Sequence, residues 1–192
     1  MPLILFDTVT LEHFAATGRL DLLEETYSGF DEPRWVEQVR EEVRAGAGMS
    51  KSQALCQPVL DLAWLGEPVE GPLKETLRLK ILLGGTDDDD EHLGEAESIA
   101  VAAEAGAVFV TDDAGAFDFA RHNGMLGPAN VKDACVVLWE ACSLGLITDE
   151  EITQFHVDVF DAQRTMRCRC SRWPGGDSLD ERIRRLNRGR SF

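Results

Sequence analysis

Between His92 and Phe119 the chain reads HLGEAESIAVAAEAGAVFVTDDAGAFDF, and three of its acids stand at two marked places. Glu95 stands at the head of a stretch with helical apolar spacing. Asp112 and Asp113 follow directly on a short apolar run, Ala107 to Thr111. Adjacent carboxylates at the end of a buried run raise each other's energy unless a cation neutralises them. Asp7 has a similar place, just after the apolar run Leu3 to Phe6, and Glu42 lies at the edge of an apolar helix face. Carboxylates without basic partners are ligands for hard divalent cations such as Mg²⁺ or Mn²⁺, which take oxygen donors. Such ions position phosphate, acidify water and offset charge in an in-line displacement. The candidate set is therefore Asp7, Glu42, Glu95, Asp112 and Asp113.

These residues need elements to hold them. Gly94 to Ala105 carries Ile99, Ala102 and Ala103 at helical spacing, and Gly106 suits a helix C-terminus. Ala107 to Thr111 reads as a buried strand, and Ala114 to His122 as the next helix. Upstream, Leu3 to Phe6 reads as the first strand. Thr8 or Thr10 is placed to cap a helix over Leu11 to Thr17, with Leu20 to Glu25 a second short helix. Gly29 to Pro33 reads as a turn, with Pro33 suited to a first helical position. Trp35, Val36, Val39 and Val43 mark one face of a helix ending near Gly46. Leu60 to Leu65 leans to strand, and Leu73, Leu77 and Ile81 indicate a helix to Leu83. Val131 to Leu144 reads as one apolar helix capped by Gly145, and Asp149 to Gln163 as another. Strands alternating with helices predict a parallel α/β sheet, whose ligand edge is the strand C-termini. Asp7 and Asp112/Asp113 both belong to that edge.

Each acid also has a plainer reading. Asp7 and one of Asp112 and Asp113 suit helix N-caps. Glu95 in a first turn favours the helix dipole. Glu42 suits a half-exposed helix position. Glu97 lies about 200° round the helix from Glu95, on another face. The four histidines show no zinc-protease spacing, and neither G-x-G-x-x-G nor G-x-x-x-x-G-K-[ST] occurs. A phosphatase-type D-x-D after the first strand is absent, because Asp7 is followed by Thr8 and Val9.

The net charge of −16 opposes polyanion binding through general electrostatics. It is unevenly spread. Arg164 to Phe192 holds nine arginines against three acids, a net of +6, which leaves −22 on residues 1–163. Five cysteines, an odd and scattered number, are expected to be free thiols. No run is long and apolar enough to cross a bilayer, and Met1 leads straight into PLILF, so a cytoplasmic protein with no membrane partner is expected.

ILFDT, the VREEV helix, LGEAESIAVAAEAGA and VFVTDDAGAF, in that order, resemble a PIN domain over about residues 3–148. The likeness is nearest to prokaryotic PIN nucleases, including toxins of toxin–antitoxin pairs. The resemblance implies a PIN-like parallel sheet flanked by helices, with residues 1–148 as the PIN-like domain and residues 149–192 as a C-terminal helix and arginine-rich tail. It implies a metal-dependent endoribonuclease with Asp7, Glu42, Glu95 and Asp113 as catalytic acids. Asp112 joins Asp7, Glu95 and Asp113 as a metal ligand, and Glu97 is a rival for the third acid. It implies Mg²⁺ or Mn²⁺ as cofactor, RNA as substrate, and an antitoxin or a second copy of the chain as protein partners. The alternative is a PIN-fold protein that cuts nothing and acts by protein–protein interaction, for which the −22 body is the motive.

Overall fold

The computed structural model describes residues 2–86, 90–123 and 125–167. Cys168, Cys170 and the arginines from Arg169 to Arg190 lie outside them. Four strands form one parallel sheet in the order β2-β1-β3-β4: β1 Leu3–Phe6, β2 Glu32–Arg34, β3 Val108–Val110 and β4 Val131–Lys132. Ile4 pairs with Val108 and Phe6 with Val110, so β1 and β3 end level. The next residues continue the ladder, with the Asp7 N–H donating to the Val110 carbonyl at 3.1 Å. This level ending brings Asp7 alongside Thr111.

Helices α1 Thr8–Ala16 and α2 Leu20–Tyr27 follow β1, and α3 Glu37–Ala47 follows β2. Then come α4 Gln53–Leu60, α5 Leu73–Leu83 and α6 Leu93–Ala105, with α6 leading into β3. Helix α7 Ala114–His122 follows β3, while α8 Ala134–Ser143 and α9 Asp149–Asp161 complete the described part. Ile4, Leu5, Phe6, Phe109 and Val110 are fully buried, as expected of parallel strands covered on both faces. Gly106 ends α6 in the left-handed conformation at φ 65°, as its position suggested. Helix α9 packs against α1 through Phe155 on Phe14, with ring centroids 4.8 Å apart.

Four sequence expectations are corrected. Pro33 does not open a helix; it lies in β2, paired with Ile4. A proline is tolerated there because β2 is an edge strand and needs no donor on its open side. Leu60 to Leu65 forms no strand: α4 runs to Leu60 and a 3₁₀ turn covers Ala63–Leu65. The segment Val131 to Leu144 is divided, because β4 takes its first two residues and Asp133 then caps α8, its side chain accepting from the Val136 N–H at 3.0 Å. Among the cysteines, Cys56 and Cys142 are free thiols, whereas Cys135 is disulfide-bonded. Helix α5 forms as expected but buries Thr76, Leu79 and Lys80, leaving Leu73 (71% exposed), Leu77 and Ile81 facing out.

Candidate active site

The site is built where β1 and β3 hand over to helices. Asp7 is the N-cap of α1. One carboxylate oxygen accepts from the Thr10 N–H at 2.7 Å, and the other accepts from the Thr111 hydroxyl. Thr111 also accepts the Asp113 N–H through its Oγ1 at 3.1 Å, so one buried hydroxyl joins two acids. Asp113 caps α7, accepting from the Ala116 N–H at 2.7 Å through Oδ1. Among the described residues its other oxygen has no hydrogen-bond partner. The capping readings of Asp7 and Asp113 thus hold, but a carboxylate has about four lone-pair sites, and one cap uses only one.

Glu42 reaches the same rim from α3. It accepts a hydrogen bond from the Thr8 hydroxyl, one residue past Asp7. Its carboxylate lies against the first turn of α6, where a Cβ on Gly94 would collide with its oxygens. Gly94 is therefore required by close approach. Its neighbour Glu95 feels the charges of Asp113 and Glu91, and Glu42 in turn feels that of Glu95. Hydrogen bonds thus link Asp7 to Asp113 through Thr111 and Glu42 to Thr8 beside Asp7, and Glu95 is coupled to Asp113 and Glu42 through charge alone.

Burial is the chief cause of the perturbed ionisation here. It pushes the Asp7 carboxyl up to about 7 against the hydrogen bonds of Thr10 and Thr111, and the charge of Asp112 adds to the rise. Glu42 and Glu95 are raised in the same way, first by burial and then by neighbouring acids. Among the described residues, no lysine or arginine forms an ion pair with Asp7, Glu42, Glu95 or Asp113. Buried acids with raised proton affinity and no countercharge mark a place where a cation would be stabilised.

The structure separates the rivals. Glu97 accepts from the Gln38 N–H at 2.8 Å and the Gly71 N–H at 2.9 Å, tying α6 to the head of α3 and to the loop before α5. Both Glu97 oxygens are thus taken up by backbone N–H groups, whereas Glu95 lies within the electrostatic reach of Asp113. Asp112, grouped by sequence with the metal ligands, has a different place. Its Oδ2 lies 2.8 Å from His13 Nδ1, its Oδ1 accepts from the Ala134 N–H at 2.9 Å, and its side chain is 0% exposed. Asp112 therefore has an imidazole partner that the four rim acids lack. Thr8 and His13 carry roles that sequence patterns did not assign. Thr8 stood out only as a cap, and His13 only as a histidine without a zinc motif.

The rim supplies oxygen donors only, which suits a hard divalent ion. Among the described residues no three His, Cys, Asp or Glu side chains are already drawn together as a metal-holding group.

In a parallel α/β sheet the strand C-termini form the ligand edge, and here that edge carries acids. A family model described as a PIN domain matches residues 3–171, and the chain belongs to that family. No curated protein and no solved structure matches the chain. PIN domains are generally nucleases that use divalent metals.

Proposed function

We propose that this chain is a metal-dependent endoribonuclease of PIN type, with Asp7, Glu42, Glu95 and Asp113 holding Mg²⁺ or Mn²⁺. The observation that carries the reading is the gathering of four acids around the ends of β1 and β3, none of them ion-paired to a lysine or arginine among the described residues. When bound, a divalent cation there supplies charge against the scissile phosphate and acidity to the attacking water. The chain's own residues do the rest. Thr111 and the Thr10 N–H fix the Asp7 carboxylate. Thr8 holds Glu42 over Gly94. Asp113 is oriented by its cap bond and by Thr111. No side chain acts as a nucleophile, so no covalent enzyme intermediate forms.

Calorimetric titration with Mn²⁺ and cleavage of labelled RNA test this together. Wild-type protein is expected to bind and cut, and Asp113→Asn to lose most of the activity, on the order of 100-fold or more. Absence of binding at millimolar metal, or equal cutting by wild type and variant, would overturn the reading. The finer proposal is a toxin held by an antitoxin. Its test is whether a small reading frame beside this one yields a protein that co-purifies with the chain and stops cleavage.

A further inference from the structure

Helix α1 presents a second functional face beside the acid rim. Thr8 and Glu12, four residues apart, engage Glu42 on α3 and Cys56 on α4. Val9 and His13 lie one position further round, and both line a separate cavity of about 420 Å³. Lys51 closes it from the turn before α4, and Gln163, Arg164 and Thr165 close it from the segment after α9. That volume lies within the range of small-ligand sites.

The charge of the lining is unusual for this protein. On a chain of net −16, the charged side chains of the cavity wall among the described residues are Lys51 and Arg164, with no acid among them. Lys51 is exposed and has no acidic partner among the described residues. Arg164 is brought back onto α1 by a sharp reversal. Gln163 takes the left-handed conformation at φ 60°, and the Arg164 N–H donates to the Val159 carbonyl at 3.1 Å. Its Nη2 pairs with Glu12, which leaves the other guanidinium donors for a ligand. His13 is buried, and its ring is held in place by Asp112 through Nδ1. The cavity and the acid rim are also connected. Asp7 caps the helix that carries Val9 and His13, and Asp112, which holds His13, precedes Asp113 in the chain.

We propose that this cavity holds a backbone phosphate of the substrate strand, displaced along it from the scissile bond. Lys51 and Arg164 supply the charge, and His13 forms a fixed wall. A planar guanidinium and a mobile ammonium together suit a tetrahedral phosphodiester. The site gives an acidic protein a local hold on a polyanion, beside a rim that would repel one in the absence of metal. This inference rests on the nuclease reading for the identity of the strand, but not for the existence of the anion site.

The test is binding of a fluorescein-labelled single-stranded RNA to full-length protein by anisotropy. It uses Asp113→Asn, so that nothing is cut, with and without Lys51→Ala. Lys51 is exposed, and unchanged thermal unfolding will show that the fold is intact. Lys51→Ala is expected to weaken binding about 3–10-fold at low salt, whatever the RNA sequence, and to make the plot of log K against log salt shallower by ~0.7. Unchanged affinity and slope overturn the site. Inorganic phosphate titrated alone distinguishes a free anion from a strand: saturation that depends on Lys51, with RNA binding indifferent to it, also overturns the proposal. Cleavage by otherwise wild-type protein separates the two readings. No cutting, with RNA binding still dependent on Lys51, sinks the nuclease and keeps the cavity. Cutting with an unchanged KM in Lys51→Ala sinks the cavity and keeps the nuclease.

Discussion

Asp7 is buried with hydrogen-bond donors but no countercharge, and its ionisation follows from that. Its carboxyl is raised to about 7 in the folded protein, above the ordinary value near 4. The folded state therefore holds the proton more tightly than the unfolded chain. The stability this contributes is complete below pH ~4 and lost as pH rises through about 7, on the order of 4 kcal/mol in metal-free protein. Denaturant unfolding in chelator at pH 5 and pH 8 captures about 3 kcal/mol of it. Asp7→Asn is expected to flatten the difference, and an equal pH slope in both proteins would contradict the account. Gly94 gives a second test. Gly94→Ala places a methyl group in the space of the Glu42 carboxylate. Helix propensity alone would favour alanine by about 1 kcal/mol. A loss of Mn²⁺ affinity, with stability unchanged or lower, is expected instead, and a tighter-binding variant would refute the close approach.

On helix α6, Glu95 and Glu97 meet different surroundings two residues apart. Glu97→Ala strands two backbone N–H groups, those of Gln38 and Gly71, and is expected to cost roughly 2–4 kcal/mol in thermal or denaturant unfolding. Glu95→Gln removes a charge that Asp113 and Glu91 oppose, so metal-free stability should hold or rise while metal affinity falls. If the two variants behaved alike, the assignment of roles would fail. The angular offset between these residues was legible in sequence, because a helix turns 100° per residue. Which face meets the rim was not, since both acids lie near buried positions. The strands β1 and β3 were legible as short apolar runs ending in acids. Strand β4 was not, because two residues carry no period and merge into the apolar helix behind them. Pro33 misled for a related reason: edge strands and helix starts both tolerate a missing donor. The Asp112–His13 pair spans 99 positions, and nothing local in the chain announces it.

At the scale of the whole molecule, metal and fold should be linked. An ion that binds only the folded chain stabilises it by about 2.7 kcal/mol at 100 times its Kd. For a chain of this size that is roughly 5–10 °C in Tm. Differential scanning with and without Mn²⁺ tests the shift, and Asp7→Asn should show little of it. Strands β1, β3 and β4 share a construction that decides how such variants can be interpreted. Three times, at Asp7, Asp113 and Asp133, the chain leaves the sheet and enters the next helix through an aspartate whose side chain bonds the helix's third N–H. Asparagine caps a helix about as well as aspartate does, whereas alanine does not. An alanine scan of this protein would therefore confound a broken hinge with a missing ligand, and would mark Asp133 as essential along with the other two. An asparagine scan separates the alleles: Asp7→Asn and Asp113→Asn would give folded, inactive protein, and Asp133→Asn folded protein that still cuts.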